Sequence, residues 1–428
     1  MTAFLTHLTP SHRAVLAELA ALGVTAFFGT GKAYNAEDER ALAALGARTT
    51  FLESLCSEPE RSALTAQALE RANEIRQLLP ARPAAVEARS FAVDRERLDE
   101  AFSDGLGERM AHSALMLRAL DRLQEASPIG GVVVSEEYSR EAALLVRWAR
   151  CAGVPSFLIA HGTNHMSQRD HFGRMLSDYA LVGGVRAVES FVDIGIDPRR
   201  ISVVGSPAYD VYPDLVRRRD AIRKEVRAKL GLAAGTALVL FGVTASESWR
   251  ALSSPEDPER TLLAFLRGAQ DALRRKVSFV AIIKDRPYNG KLGAERVRAL
   301  NERIGVPARY VDGRAELLIV AADAVVAVES NLNVESMICG VPTIDVWTPM
   351  SWLHGPGFAY QDGIDIVPTD EPELLGTRLH EVLSKPAKRA EVIARQSAAR
   401  PRFIAEVDGQ AARRCAQFCF ERSRRGSG

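Results

Sequence analysis

Apolar runs of strand length alternate with amphipathic runs of helix length along most of the chain. A short, wholly apolar run has to be covered on both faces, while an amphipathic helix hides only one stripe. Strand and helix in alternation therefore build a parallel sheet with helices over both faces. The pattern predicts strands at 24–28, 49–52, 132–134, 156–160, 179–182 and 201–204, with helices at about 58–79, 106–125, from 138 to about 151, and 187–194. After Asp210 comes an arginine-rich, helix-like connector over 215–230. A second series then begins: strand 237–241, helix 258–274, strand 277–283, helix 294–304, strand 308–311 and helix 316–321. The expectation is two Rossmann-like α/β domains facing a cleft, over 1–214 and 215–385. The C-terminal helices and tail (386–428) either cap the second domain or cross back to the first; no strand is expected from about 372 onward.

With 428 residues the chain is long enough for two domains of ordinary size. A net charge of +1 gives no electrostatic case for a nucleic-acid partner. No apolar run is long enough for a transmembrane segment, and the first residues lack the charged start and apolar core of a secretory leader. Cys56, Cys151, Cys339, Cys415 and Cys419 are scattered, as suits a reducing, cytoplasmic setting.

In the second series, the apolar run 324–328 ends at Glu329, and the turn Ser330-Asn331 opens a helix carrying Glu335. Gly340 stops that helix, Pro342 follows, and 343–346 is a further strand. Such a turn presents main-chain N–H groups to an anion, although Ser330 is equally a plain helix cap. Two more strand ends suit a phosphate. One is Gly242-Val243-Thr244; the other is Lys284-Asp285-Arg286-Pro287, with two cations ahead of a proline-fixed loop. Trp347, Trp352 and His354 could wall a base or sugar, or belong to core and lid.

In the first series, His161 follows a strand and precedes Gly162-Thr163, where an imidazole could take a proton from a hydroxyl. Glu136 and Glu137 end another strand; Glu137 is the candidate helper to His161, and helix-terminus charge stabilisation is the plain alternative. His161, His165 and His171 are close in sequence, but no carboxylate or cysteine stands at a matching interval, so no metal site is expected. Gly29-Thr30-Gly31-Lys32 is not a P-loop: Ala26 and Ala33 stand where glycine and Ser/Thr are needed.

Four of these landmarks, in order, resemble GT-B glycosyltransferases, chiefly bacterial surface-polysaccharide enzymes and CDP-glycerol glycerophosphotransferases. They are HisGlyThr at 161–163, the Gly-x-Pro-x-x-Asp pattern of Gly205–Asp210, Lys284-Asp285-Arg286-Pro287, and Glu329-Ser330-Asn331 with Glu335, Gly340 and Pro342. The last set is also similar to the donor loop of UDP-N-acetylglucosamine 2-epimerases. Arg286 stands where the family has histidine, Asn331-Leu332 replaces Gly-Gly, and Asn164 replaces a proline.

The resemblance implies a GT-B-like fold and a nucleotide-sugar co-substrate, with no further cofactor and no metal. Gly242, Thr244, Lys284, Arg286, Ser330, Asn331 and Glu335 are then the donor residues. His161, helped by Glu137, is the base toward a glycan or lipid-linked acceptor. The implied reaction is metal-independent, inverting transfer in bacterial surface-glycan or glycoconjugate synthesis, by a cytoplasmic protein that could sit peripherally at the inner membrane face. The alternatives are CDP-polyol phosphotransfer, UDP-sugar 2-epimerisation and non-catalytic nucleotide-sugar binding.

Overall fold

The computed structural model describes residues 2–30, 34–78, 105–126, 128–137, 139–160, 175–243, 257–285, 292–311, 314–328, 330–347 and 363–425. Two parallel sheets are built from them. The first holds β1 (Thr2–His7), β2 (Val24–Gly29), β3 (Arg48–Phe51), β4 (Ile129–Val134), β5 (Ser156–Ile159), β6 (Tyr179–Val182) and β7 (Ile201–Val203), in the order β3-β2-β1-β4-β5-β6-β7. The second holds β8 (Ala237–Gly242), β9 (Phe279–Lys284), β10 (Ala308–Tyr310), β11 (Ala324–Ala327), β12 (Thr343–Trp347) and β13 (Asp365–Pro368), in the order β10-β9-β8-β11-β12-β13. Both orders run outward from a central strand in two directions, the doubly wound arrangement.

Burial on both faces follows the two-residue period of a strand. Phe4, Val133, Phe157 and Leu181 face one cluster, and their neighbours Leu5, Val132, Val134, Leu158 and Ala180 face the other. In the second sheet, Val239, Phe241, Ala281 and Ile283 oppose Leu238, Leu240 and Ile282 in the same way.

Two strands lie outside the sequence reading. The first, β1, is an interior strand of its sheet, bonded to β2 and β4. Its Thr6 is fully buried and donates to the Phe28 carbonyl at 3.3 Å, so a threonine fills an apolar position. The second, β13, is four residues long and, among the described residues, pairs only with β12.

The basic connector is two helices, Tyr212–Arg217 and Arg219–Lys229, docked on the second sheet. Arg223 donates to Asp323 at 2.8 Å, and the other Asp323 oxygen accepts the Leu238 N–H at 2.8 Å. One carboxylate thus joins the connector to the starts of β8 and β11, and the connector's charge is partly spent inside the fold.

The C-terminal chain crosses back. Helix Pro386–Phe403 starts over the second sheet, where Gln396 bonds both the N–H and the carbonyl of Thr343. Its last turn reaches the first sheet's side: Arg402 pairs with Glu189 at 2.9 Å, and Ala405 N–H donates to the Gly183 carbonyl at 2.9 Å. Helix Ala411–Arg425 then puts Ala412, Cys415, Ala416 and Cys419 into the core around Phe4 and Phe157. Cys415 and Cys419 are thereby buried core thiols. Among the described residues no helix is long and apolar enough to cross a membrane.

Asp210 caps that last helix across some 200 residues of sequence. Its two oxygens accept the N–H groups of Ala411 at 2.9 Å and Ala412 at 2.8 Å. Such a cap satisfies main-chain donors at the positive end of the helix dipole. Asp210→Ala is expected to cost about 2 kcal/mol, read as a lower urea midpoint, and to raise amide hydrogen exchange selectively at Ala411 and Ala412. Unchanged exchange at those two amides would remove the cap from the account.

Candidate functional site

Parallel sheets of this order bind ligands outside the carboxyl ends of their strands, where neighbouring crossovers diverge. Those points lie between β1 and β4 in the first sheet and between β8 and β11 in the second.

On the second sheet, Gly242 ends β8 in register with Lys284, which ends β9. Ser330 follows β11 on the other side of β8. Three of the sequence-chosen residues thus come from adjacent strand ends. A side chain at position 242 has no room, because its Cβ would stand 2.1 Å from Leu332 Cδ1. Lys284 Nζ donates to the Asp285 carbonyl at 2.8 Å. The Ser330 hydroxyl accepts the Leu332 N–H at 3.3 Å, and the Asn331 carbonyl accepts the Glu335 N–H at 3.0 Å, so the turn leads directly into helix Leu332–Ile338.

A buried polar web fixes that helix from below. Asn333 donates to Asp345 at 2.8 Å and accepts from Thr343 at 2.7 Å, while Trp347 Nε1 donates to Asp345 at 2.9 Å. All four side chains are at most 2% exposed. Each buried polar atom named here has a partner, the condition under which such a web rigidifies a site rather than weakening it. Trp347 is thereby a core residue.

Glu335 has a partner that the sequence did not suggest. Tyr212, from the connector, donates its hydroxyl to the carboxylate at 2.6 Å. Burial pushes the Glu335 carboxyl up to about 7; the Tyr212 bond opposes the rise and Glu316 adds to it. The same burial, with the Glu335 charge, pushes the Tyr212 phenol well above its ordinary value.

On the first sheet, the two glutamates after β4 divide. Glu137 accepts the N–H groups of Leu176 and Ser177, both at 2.7 Å, and so anchors the chain just after the segment that carries His161. Glu136 turns the other way. It accepts from His7 Nε2 at 3.0 Å and from the Ser139 N–H at 2.8 Å. His7 Nδ1 lies 2.9 Å from the Thr30 hydroxyl. Burial alone would raise the Glu136 carboxyl, but the His7 and Ser139 bonds outweigh it and hold it below its ordinary value.

His7 and its contact with Thr30 went unseen in the sequence because β1 did. Once a strand is placed at Thr2–His7, a histidine at its carboxyl end is the signal that would have found it. His161, Thr244 and Arg286 lie outside the described residues, as do His165, His171, Trp352 and His354. Among the described residues no group of three or more His, Cys, Asp and Glu side chains gathers as a metal ion requires.

Neither a protein-family model nor a curated protein sequence matches the chain. Solved structures do match, over nearly all of its length. The UDP-GlcNAc 2-epimerase from Neisseria meningitidis bound to UDP-GlcNAc aligns with a TM-score of 0.55 at 10% identity, covering 98% of this chain and 100% of that one. Alr3699/HepE of Anabaena in complex with UDP-glucose aligns at 0.53 and 10%, covering 99% and 98%. A variant of the wall teichoic acid polymerase TagF soaked with CDPG aligns at 0.51 and 12%, covering 100% and 89%.

The fold is GT-B-like. In a GT-B-like chain the two switch points belong to two Rossmann-like halves, one bearing Gly242, Lys284 and Ser330, the other bearing His7 and Glu136.

Glu335 supplies a pH test of this geometry. The folded carboxyl titrates near 7 and the unfolded one near 4.5, so the folded state holds the proton more tightly. Its stabilising contribution is complete below about 4.5 and is lost as pH rises through 7, on the order of 3 kcal/mol in all. Glu335→Gln should flatten that part of the stability curve, measured by urea unfolding from pH 4.5 to 8. An unchanged slope in the variant would mean that the group is not held as described.

Proposed function

We propose that the protein transfers a sugar from a nucleotide-sugar donor to a hydroxyl acceptor. The observation that carries this reading is the meeting of Gly242, Lys284 and Ser330 at the switch point of the second sheet, in a GT-B-like fold. Three GT-B-like neighbours hold UDP-glucose, UDP-GlcNAc or CDPG, which supports a nucleotide-linked donor for this chain as well.

The donor's diphosphate sits over Gly242 and Thr244, at the carboxyl end of β8. Lys284, Arg286 and the Ser330-Asn331 turn neutralise the charge that develops on the departing phosphate, the main electrostatic demand of the reaction. Glu335 orients the ribose or the donor sugar. His161 meets the acceptor hydroxyl, with Glu137 anchoring the following chain. Direct displacement inverts the anomeric centre. The domains proposed are 1–214 for the acceptor, 215–385 for the donor and 386–428 for the returning helices. A glycan or lipid-linked acceptor of bacterial surface-glycan synthesis fits this scheme, with the protein at or near the inner face of the membrane and no metal taking part.

A CDP-polyol donor is the second reading, favoured by HisGlyThr at 161–163. Thermal-shift measurements with UDP, GDP, CDP and CMP choose the base, since a ligand of the folded state alone raises its apparent stability. In transfer assays with UDP-glucose, UDP-GlcNAc and CDP-glycerol, Lys284→Ala should lower turnover roughly 100-fold or more, and His161→Ala by at least roughly tenfold. Both variants keeping wild-type transfer would sink the assignment. Turnover of UDP-GlcNAc without any acceptor would replace transfer by epimerisation.

A further inference from the structure

The connector helix Arg219–Lys229 carries three arginines, Arg219, Arg223 and Arg227, at four-residue spacing. Residues four apart share one face of a helix, and like charges placed so repel one another. Such a ladder needs anionic neighbours. Asp323 supplies one: its carboxylate accepts from Arg223 Nη2 at 2.8 Å and stands 3.7 Å from Arg227 Nη1. A fourth arginine, Arg389, joins the group from helix Pro386–Phe403 and donates to the Asp323 main-chain carbonyl at 2.5 Å. Burial lowers the Arg389 guanidinium from its ordinary value; the Asp323 charge opposes the fall, and the charges of Arg223 and Arg219 add to it.

The other bonds of the ladder run to carbonyls, which carry no net charge: Arg223 donates to Ala322 at 3.3 Å and Arg227 to Thr236 at 2.6 Å. Arg219 is left over. Its Nε and Nη2 are buried, and among the described residues neither has a hydrogen-bond partner. Asp220 does not answer it, since adjacent helical residues do not face each other. The nearby Cys339 thiol is kept neutral, pushed up to about 12 by burial. A buried donor without a partner is destabilising, a charged one more so. The group also has an open side. All four arginines are only half-buried, and the side chains of Arg223 and Arg227 are 30% and 21% exposed. Asp323 precedes β11 and its carboxylate takes the Leu238 N–H near the start of β8, so the arginines gather at the amino ends of these strands. Gly242, Lys284 and Ser330 lie at the carboxyl ends.

We propose that Arg219, with Arg223 and Arg389, binds a phosphate group at a site separate from the donor residues. The chemistry of the groups suits that ligand. A guanidinium is a planar fork that meets phosphate oxygens in pairs, and it keeps its charge when half-buried. A dianion there answers the open donors of Arg219 and stands between its charge and those of Arg223 and Arg389. The same phosphate chemistry belongs to a soluble phosphorylated compound and to the headgroup of an anionic lipid. Asp323 already ties the connector to the second sheet, so an anion at Arg219 braces the same joint from its other end. The site does not depend on the transfer reading above, and its test stands whatever reaction the protein performs.

Thermal midpoints of the full chain in sodium phosphate or pyrophosphate, against sodium chloride at equal ionic strength, test the site. Both phosphates should raise the wild-type midpoint, as a ligand of the folded state does. Lys284→Ala should keep that rise, which separates this site from the donor side. Arg219→Gln should lose it, with pyrophosphate affinity by calorimetry lowered roughly tenfold or more. Arg219→Lys, which keeps the charge without the fork, should fall between the two. In chloride alone Arg219→Gln should melt with the wild type, because the buried donors it removes have no partner. No rise in the wild type, a rise that survives Arg219→Gln, or one that disappears in Lys284→Ala overturns the proposal. So does an Arg219→Gln midpoint well below the wild type in chloride, which makes Arg219 a structural residue. Sedimentation with phosphatidylcholine vesicles, with and without phosphatidic acid, identifies the source. Binding that requires both phosphatidic acid and Arg219 assigns a lipid headgroup; pyrophosphate binding without it assigns a soluble phosphate.

Discussion

The Asp210 carboxylate, held by the N–H groups of Ala411 and Ala412, closes the molecule. The chain leaves the first sheet at this residue, builds the second sheet, and returns along Pro386–Phe403 to the place it left. Desolvation pushes the Asp210 carboxyl up, while the two amide bonds and nearby Arg414 pull it down. The surrounding segment is shaped for the same contact. Gly205 has a φ of +83°, and a Cβ there would stand 3.0 Å from Arg414 Nη2 and 3.2 Å from the Ala411 methyl. Arg414 in turn donates to the Val204 carbonyl at 2.8 Å. The Gly-x-Pro-x-x-Asp pattern thus has a physical purpose: it is the seat of the C-terminal helix.

With the halves joined, the two switch points differ in kind. The second sheet's switch point gathers a glycine, a lysine and a serine turn over a fully bonded polar web. The first sheet's switch point holds a carboxylate, an imidazole and a hydroxyl already bonded to one another. Tyr212 links the connector to helix Leu332–Ile338 through Glu335.

Much of this was legible in the residues. Most strands of both series were readable because parallel strands are apolar on both faces, and most of the helices because each buries one stripe. Gly242, Lys284 and Ser330 were placed at strand ends by the apolar runs that precede them. The interior strand β1 was not readable. Six residues with two threonines and a histidine do not form an apolar run, and only burial under two helical layers reveals Thr6 as a core residue. Of the adjacent glutamates, Glu137 was the one chosen as helper, and the geometry gives it the chain at Leu176 and Ser177 while Glu136 meets His7. Successive side chains at a strand end diverge, and their direction depends on how the turn is packed.

The sequence by itself determined the alternation, the parallel sheets and the strand ends at which polar groups would collect, because periodicity and burial are properties of neighbouring residues. Tertiary structure alone decided that Asp210 caps a helix some 200 residues away, that Arg223 and Asp323 bind the connector to the second sheet, that Tyr212 meets Glu335, and that His7, Thr30 and Glu136 form one line. Each of these contacts joins residues separated by 23 to more than 200 positions. A hydrogen bond depends on distance and direction in space, and no local pattern carries either across such intervals.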